Sequence, residues 1–368
     1  MLPRERVINA LEFKPSDKPA LDCDVSYVGV YEHGEKLVSL LKTIEGDFGA
    51  VSNLPVPVIP PQFKDTDGSY LEYVEDTWGV TWEYRTFGIQ GHPIKRPLDD
   101  WAALDSYKMP DMPPDWFMYP TGKANLYRYT KSPVPQGASR AEGEAIIKKL
   151  VAEERKTYFK RAGWISIIET MEILRDYESV MMDLFDNTPE INCLADMLML
   201  RWKDAIDRLI RYDYDAVQFG DDYGTQTAMI ISPEIFRKFF KPRYKELIAP
   251  IKAAGKKVLF HLCGYSLPIL EDLKEVGVDA IWPQLNVYGD LKEFADYCRS
   301  IELAVSIHPE RSELMTFGKP DEIKRRIHGY NEIFRPAEGG SYFYLEMDNG
   351  FPYENIVAMA EAIGEIRK

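Results

Sequence analysis

His261 and Cys263 stand two residues apart in the run KVLFHLCG at 257–264. That run is β-branched and aromatic enough to read as a strand. On a strand, side chains at i and i+2 point to the same side, so the imidazole and the thiol converge on one point. A nitrogen and a sulfur donor aimed together suit zinc, which in catalytic sites takes three protein ligands and leaves a fourth position open. Gly264 follows at once and lets the backbone turn sharply. The third ligand has to come from elsewhere in the chain, so the elements that carry the other polar residues decide the question.

Short apolar runs alternate with longer amphipathic runs through the C-terminal half, the signature of βαβ units and a parallel sheet. Strands read at 163–168, 214–219, 257–262, 278–283, 302–307 and 341–346. Helical runs lie at 189–211, where Pro189 follows Asn187 and Thr188, and at 233–254, which follows Ser232 as an N-cap. Further helices read near 266–276, 290–300, 319–334 and 353–366. The N-terminal part supplies two more strands, 18–23 and 47–52, with a helical pattern near 34–44 between them. Eight strand–helix units predict an α/β fold of the (β/α)8 TIM-barrel class. Residues 54–161 break the rhythm. They are rich in Pro and Trp, carry a hairpin pattern at 70–88 in which Trp78 and Trp82 read as packing residues, and end in a helix near 141–161. We therefore expect one barrel domain over 1–368, with 54–161 as a cap of hairpin plus helix inserted between strands two and three.

A barrel builds its active face from the loops at the C-terminal ends of its strands, and the polar residues fall there. Strand three ends at Glu169, strand four runs into Asp221 and Asp222, strand five ends at His261 and Cys263, strand six runs into Gln284, strand seven ends at His308, and strand eight ends at Glu346 with Asp348 just beyond. Of the remaining cysteines, Cys23 lies near the end of strand one, Cys193 inside a helix and Cys298 on the far side of the barrel. Glu346 is thus the expected third metal ligand, with Asp348, Asp221 and Asp222 as alternatives. Asp221, Asp222, His308 and Glu169 are the candidate catalytic groups. His308 is placed to protonate a leaving oxygen or to touch the substrate. Tyr223, Trp282, Gln284, Arg311, Tyr344 and Asp348 are the candidate substrate contacts.

Composition excludes several classes. The 368 residues carry 45 Lys and Arg against 59 Asp and Glu, a formal charge of −14, which argues against nucleic acid or an anionic membrane as the main partner. Four scattered cysteines cannot form a disulfide framework, and no Cys-x-x-Cys pair occurs. The first 18 residues lack the apolar core of a signal peptide, and no run of about 18 apolar residues occurs. A reduced, cytoplasmic protein is expected, and a homodimer is allowed.

Four stretches resemble the uroporphyrinogen decarboxylase superfamily: RERVINALEFKPSDKP at 4–19, DTWGVTWEY at 76–84, ISPEIFRKFFKPRYKELIAPIKAAGKKVLFHLCG at 231–264 and FPYENIVAMAEAI at 351–363. The middle block is the most specific. Within that superfamily the chain is more similar to the zinc-dependent, corrinoid-linked methyltransferases than to the decarboxylases. The resemblance implies a (β/α)8 barrel and a zinc held by His-x-Cys and a later Cys. His261 and Cys263 match the first two positions. No Cys follows Cys298, and Glu346 in YLEMDNGFPYEN stands nearest the expected place. The arginine-rich run that the decarboxylases carry after strand one is replaced by DCDVSYVGVYEHGEKL at 22–37, which has no Arg.

A carboxylate in place of a thiolate makes the ligand set harder and suits an oxygen substrate. The resemblance therefore implies one Zn2+ per chain. It also implies a methyl group moved from a small O-methyl compound to the Co(I) corrinoid of a separate protein. An aryl methyl ether comes first, then methanol or a methylamine. The chain has no cobalt-ligating Asp-x-His-x-x-Gly segment, so the corrinoid arrives in trans. Transfer from a methylcorrinoid to a thiol, a decarboxylase, and a non-catalytic small-molecule-binding barrel are the alternatives.

Overall fold

The computed structural model describes residues 1–49, 54–116 and 132–368. Its strands are β1 (Leu21–Val25), β2 (Glu72–Glu75), β3 (Thr81–Tyr84), β4 (His92–Lys95), β5 (Arg161–Ile165), β6 (Ala216–Gly220), β7 (Lys257–Leu262), β8 (Ala280–Pro283), β9 (Ala304–Ile307) and β10 (Ser341–Met347). Seven of them form one parallel sheet in the order β1-β10-β9-β8-β7-β6-β5, with helices between successive strands. The residues of β6 and β9 are buried throughout. That is the burial of strands covered on both faces, as in an α/β barrel.

The sheet curls until its two edges meet. Arg161 on β5 pairs with the buried Asp22 on β1. Between them runs the chain at Asp47, whose N–H donates to Leu21 O at 2.7 Å and whose carbonyl accepts from Phe159 N at 3.0 Å. This is the place the expected second strand, 47–52, would fill. Residues 47–49 form no assigned strand, and 50–52 lie outside the described residues. The fold is thus of the (β/α)8-barrel type.

One end of the barrel is filled. Ala216, Ala280 and Ala304, near the starts of their strands, leave room for Phe48, Phe159 and Tyr342. The helix Pro3–Leu11 closes that end with Val7, Ala10 and Leu11. The other end, where the strands finish, stays open for chemistry.

The antiparallel hairpin expected at 70–88 is β2 and β3, extended by β4. Both tryptophans are packing residues. Trp78 lies in the turn, 5.9 Å from the Trp202 ring, and Trp82 Nε1 donates to Asp76 Oδ2 at 2.8 Å. This small sheet is seated on the helix Pro189–Arg211 through Trp78 and beside the helix Tyr27–His33 through the Tyr31–Phe87 contact.

The expected helix 233–254 is interrupted. Ser232 Oγ caps it by accepting from Ile235 N, Phe236–Phe240 form a π turn, and α-helix resumes over Lys241–Ala253. A second π turn, Arg311–Met315, follows β9. Two short helices, Ile168–Leu174 and Tyr177–Asp186, occupy the stretch after β5. Among the described residues no helix is long and apolar enough to cross a membrane.

Candidate metal centre

Cys263 Sγ lies 3.3 Å from His261 Nε2, and Asp222 Oδ1 lies 3.5 Å from the same nitrogen. All three donor atoms fall within 4.8 Å of one another. Four ligands in a tetrahedron at zinc bond lengths stand roughly 3.3–3.8 Å apart. The spacing and the nitrogen, sulfur and oxygen donor set both fit a zinc ion with one position left over.

The site is made by interlocking two loops. β6 and β7 pair with Gly220 opposite His261, so Asp222 comes to stand beside Cys263. Cys263 N donates to Asp222 Oδ1 at 2.8 Å, Gly224 N to Cys263 O at 3.2 Å and Tyr265 N to Thr225 O at 2.7 Å. Gln284, expected as a substrate contact, accepts from Gly264 N at 3.2 Å and so braces the same loop. Burial, and then the charge of Asp222, push the Cys263 thiol well above its ordinary value. A divalent cation is the group that would let it ionise.

Asp221 is fully buried and turned away from this point. Its oxygens accept from Ser166 Oγ (2.8 Å), Ile167 N (2.8 Å), Glu169 N (3.0 Å) and the Tyr244 hydroxyl, which also bonds the Tyr223 hydroxyl at 2.6 Å. Burial raises Asp221 to about 6. Asp221 and Tyr223 were expected as catalytic group and substrate contact. In the structure they tie the loop after β5 to the loop after β6, within the aromatic setting of Phe236 and Phe240 that the π turn supplies.

Glu169, in the first turn after β5, accepts from Trp164 Nε1 at 3.2 Å, and the Trp164 ring stacks obliquely on His261 at 5.3 Å. Burial and the charges of Asp221 and Asp222 hold Glu169 well above the usual carboxylate range. Glu172, one turn on, is pushed up to about 8 by burial and the same two charges. Glu172, Trp164 and Tyr244 escaped the sequence reading. The i, i+3 spacing of Glu169 and Glu172 was the available signal for the first; the two aromatics are indistinguishable from core residues.

The raised value at Glu172 has a stability consequence. The folded chain binds this proton more tightly than the unfolded chain, so stability falls as pH rises from the ordinary value of 4.5 towards about 8, and then levels off. Glu172→Gln removes the penalty. The variant is expected to gain on the order of 2–4 kcal/mol over the parent at pH 8 and close to nothing at pH 4.5. Urea unfolding of the metal-free protein at the two pH values checks this; a gain of the same size at both would rule out the buried-charge account.

Beside the cluster opens a cavity of about 430 Å3, lined by His261, Cys263, Trp282, His308, Arg311 and Glu346 among others. The Trp282 ring lies 4.4 Å from His261 and 4.5 Å from Tyr344. Tyr344 is buried beneath it, with its hydroxyl donating to Asp24 Oδ2 at 2.8 Å. Glu346 lies in the cavity wall but outside the donor cluster: Arg311 Nε stands 3.4 Å from its carboxylate, and Asp348 holds the same guanidinium. Asp222, one of the alternatives for the third donor, is the carboxylate that lies within 4.8 Å of the His261 and Cys263 donor atoms. His308 is 8% exposed. Burial, then the neighbouring His261 and Arg311, lower it to about 3, so the ring is neutral at physiological pH and is no proton donor of ordinary strength.

The family model for uroporphyrinogen decarboxylase (URO-D) matches residues 163–365, which span β5's later part to the last helix and include every member of the cluster. Among solved structures, a methyltransferase from Methanosarcina mazei is similar with a TM-score of 0.59 and 16% identity, over 100% of this chain and 100% of that one. At that identity the likeness speaks for the fold. No curated protein matches the chain.

Proposed function

Because the chain belongs to the uroporphyrinogen decarboxylase family, we propose that it is a zinc-dependent methyltransferase of that family. In this reading it moves a methyl group from a small O-methyl substrate, an aryl methyl ether first, to the Co(I) corrinoid of a separate protein. The observation that carries the reading is the convergence of Asp222, His261 and Cys263 at the open end of the barrel. The methyltransferase fold of the Methanosarcina mazei neighbour supports it.

The decarboxylase reading lacks its basic pocket. The stretch 22–37 carries no Arg, and Arg311 in the cavity wall is already held by Glu346 and Asp348. A carboxylate donor beside the imidazole and thiolate favours an oxygen substrate over a thiol.

A zinc ion held by Asp222, His261 and Cys263 would supply Lewis acidity at the ether oxygen. In the transfer, the carbon–oxygen bond breaks with its electron pair staying on oxygen. A carbon–cobalt bond forms from the Co(I) pair, so cobalt rises formally to Co(III), and the freed oxygen takes up a proton. Glu169, whose carboxyl is raised well above the ordinary value by burial and then by the charges of Asp221 and Asp222, is the proposed source of that proton. The corrinoid protein would dock over the cavity mouth. We take 1–368 as one barrel domain, with 54–161 as its cap.

Incubating the zinc-loaded protein with Co(I) corrinoid and a panel of methyl donors tests the reading. Methylcobalt should form with aryl methyl ethers faster than with methanol or methylamines. If it forms with no methyl ether at all, the substrate claim is lost.

A further inference from the structure

A second cavity, of about 560 Å3, shares a wall with the one beside the metal cluster. The stretch after β8 serves both: Leu285 and Asn286 line the metal-side cavity, and Val287 and Tyr288 line the other. The helix Leu291–Ser300 and its cap supply Asp290, Glu293, Phe294 and Tyr297 to the second cavity. Their spacing of three and four residues puts them on one face. Tyr265, the residue after Gly264, lines it as well. Tyr288 stacks on Phe294 with ring centres 4.1 Å apart and stands 6.0 Å from Tyr265. Four aromatic rings thus belong to one cavity, and none of them is used by the metal centre.

The charge of the lining selects the ligand. It holds two carboxylates and no Lys, Arg or His. Lys292 belongs to another face of the helix, where it pairs with Asp296. Asp290 Oδ1 accepts from Lys292 N at 2.8 Å and from Glu293 N at 3.1 Å, so the helix N-terminus already has its anion. Glu293 is exposed, and among the described residues its carboxylate forms no ion pair. Aromatic faces are negative, so the rings and this carboxylate attract the same kind of ligand, a cation. A bare metal ion or ammonium would stay hydrated. An alkylated ammonium carries apolar surface around its charge, which suits the rings and the side chains of Leu267 and Val287.

We propose that this second cavity is a binding site for a small alkylated ammonium ion, held by cation–π attraction to its tyrosine rings and by the charge of Glu293. The site is separate from the metal centre, and its case does not depend on the methyltransferase reading.

Calorimetric titration of the whole chain tests it, with choline as the charged probe and 3,3-dimethylbutan-1-ol as its uncharged isostere. The two share shape and hydroxyl, so any contact with the metal centre is common to both. Choline should bind about fivefold or more tightly than the isostere. Tyr297→Leu should lower choline affinity by about threefold or more and narrow the ratio between the two probes. A ring that only packs would weaken both probes equally. Glu293→Gln, on the surface and harmless to the fold, should lower choline affinity by about two- to fivefold at low salt and leave the isostere unchanged. That difference should shrink as salt is added. Glu346→Gln, in the wall of the metal-side cavity, should leave choline binding as it is, which assigns the binding to the second cavity. The proposal is overturned if choline gives no measurable binding, if the isostere binds as tightly as choline, or if Glu293→Gln and Tyr297→Leu both leave choline affinity unchanged. A loss of choline binding in Glu346→Gln but not in Glu293→Gln would equally overturn it.

Discussion

His261→Ala and Cys263→Ala are each expected to lower zinc affinity by about 100-fold or more and to abolish methyl transfer. Zinc in a protein site of several ligands is held by about 10–16 kcal/mol, so each ligand carries on the order of 3 kcal/mol. The more discriminating comparison is between two carboxylates. Asp222→Asn keeps an oxygen to accept from Cys263 N, at 2.8 Å in the parent, and so keeps the loop in place. It removes the charge that faces His261 Nε2 at 3.5 Å, and zinc affinity should fall at least tenfold. Glu346→Gln should leave zinc affinity within about threefold, because the Glu346 carboxylate faces Arg311 and stands outside the donor cluster. Competition against a chromogenic chelator reads both values. A larger loss for Glu346→Gln than for Asp222→Asn would return the third-ligand role to Glu346.

The placement of Asp222 shows where sequence reasoning reaches its limit. β7 was read as 257–262 and is Lys257–Leu262, because its apolar alternation ends cleanly at the Gly264 turn. The helix Pro189–Arg211 was equally legible, from Thr188, Pro189 and a long amphipathic period. The register between strands carries no such local mark. Reading β6 as 214–219 and matching its end to that of β7 sets residue 219 against residue 262. The actual pairing sets Phe219 against Phe260 and Gly220 against His261. With 219 against 262, Gly220 would stand opposite Cys263; in the actual pairing, two residues beyond Gly220 and His261, Asp222 stands there.

The end of β5 was misread for a related reason. The run WISII is β-branched and looks extended, yet Asp221 accepts from Ile167 N and Glu169 N and pulls those residues into a helical first turn. A contact across more than 50 residues of sequence overrides the local preference there. Similarly, the burial of His308, which lowers its ring to about 3, is something a one-dimensional reading does not see.

Gly264→Ala is expected to be the most damaging single methyl addition near the site. Gly264 has φ +71°, a conformation costing an L-residue about 1 kcal/mol. Its added Cβ would lie 2.6 Å from Gly224 Cα and closer still to the Gly224 carbonyl. Those are backbone atoms, and they cannot yield without breaking the bonds from Gly224 N to Cys263 O and from Tyr265 N to Thr225 O. The same bonds hold Cys263 beside Asp222. The substitution should therefore cost roughly 3–5 kcal/mol of stability and about tenfold or more in zinc affinity. Gly255→Ala is the matched control. Its φ is +69°, and nothing lies within 4 Å of the added Cβ, so it should cost only the backbone strain, about 1 kcal/mol, and leave zinc affinity unchanged. Chemical denaturation of the two variants side by side, with zinc titration of each, isolates the collision from the strain. Equal losses of stability in the two would mean that the loops after β6 and β7 can part without harm, and the interlocked account of the metal centre would have to be abandoned.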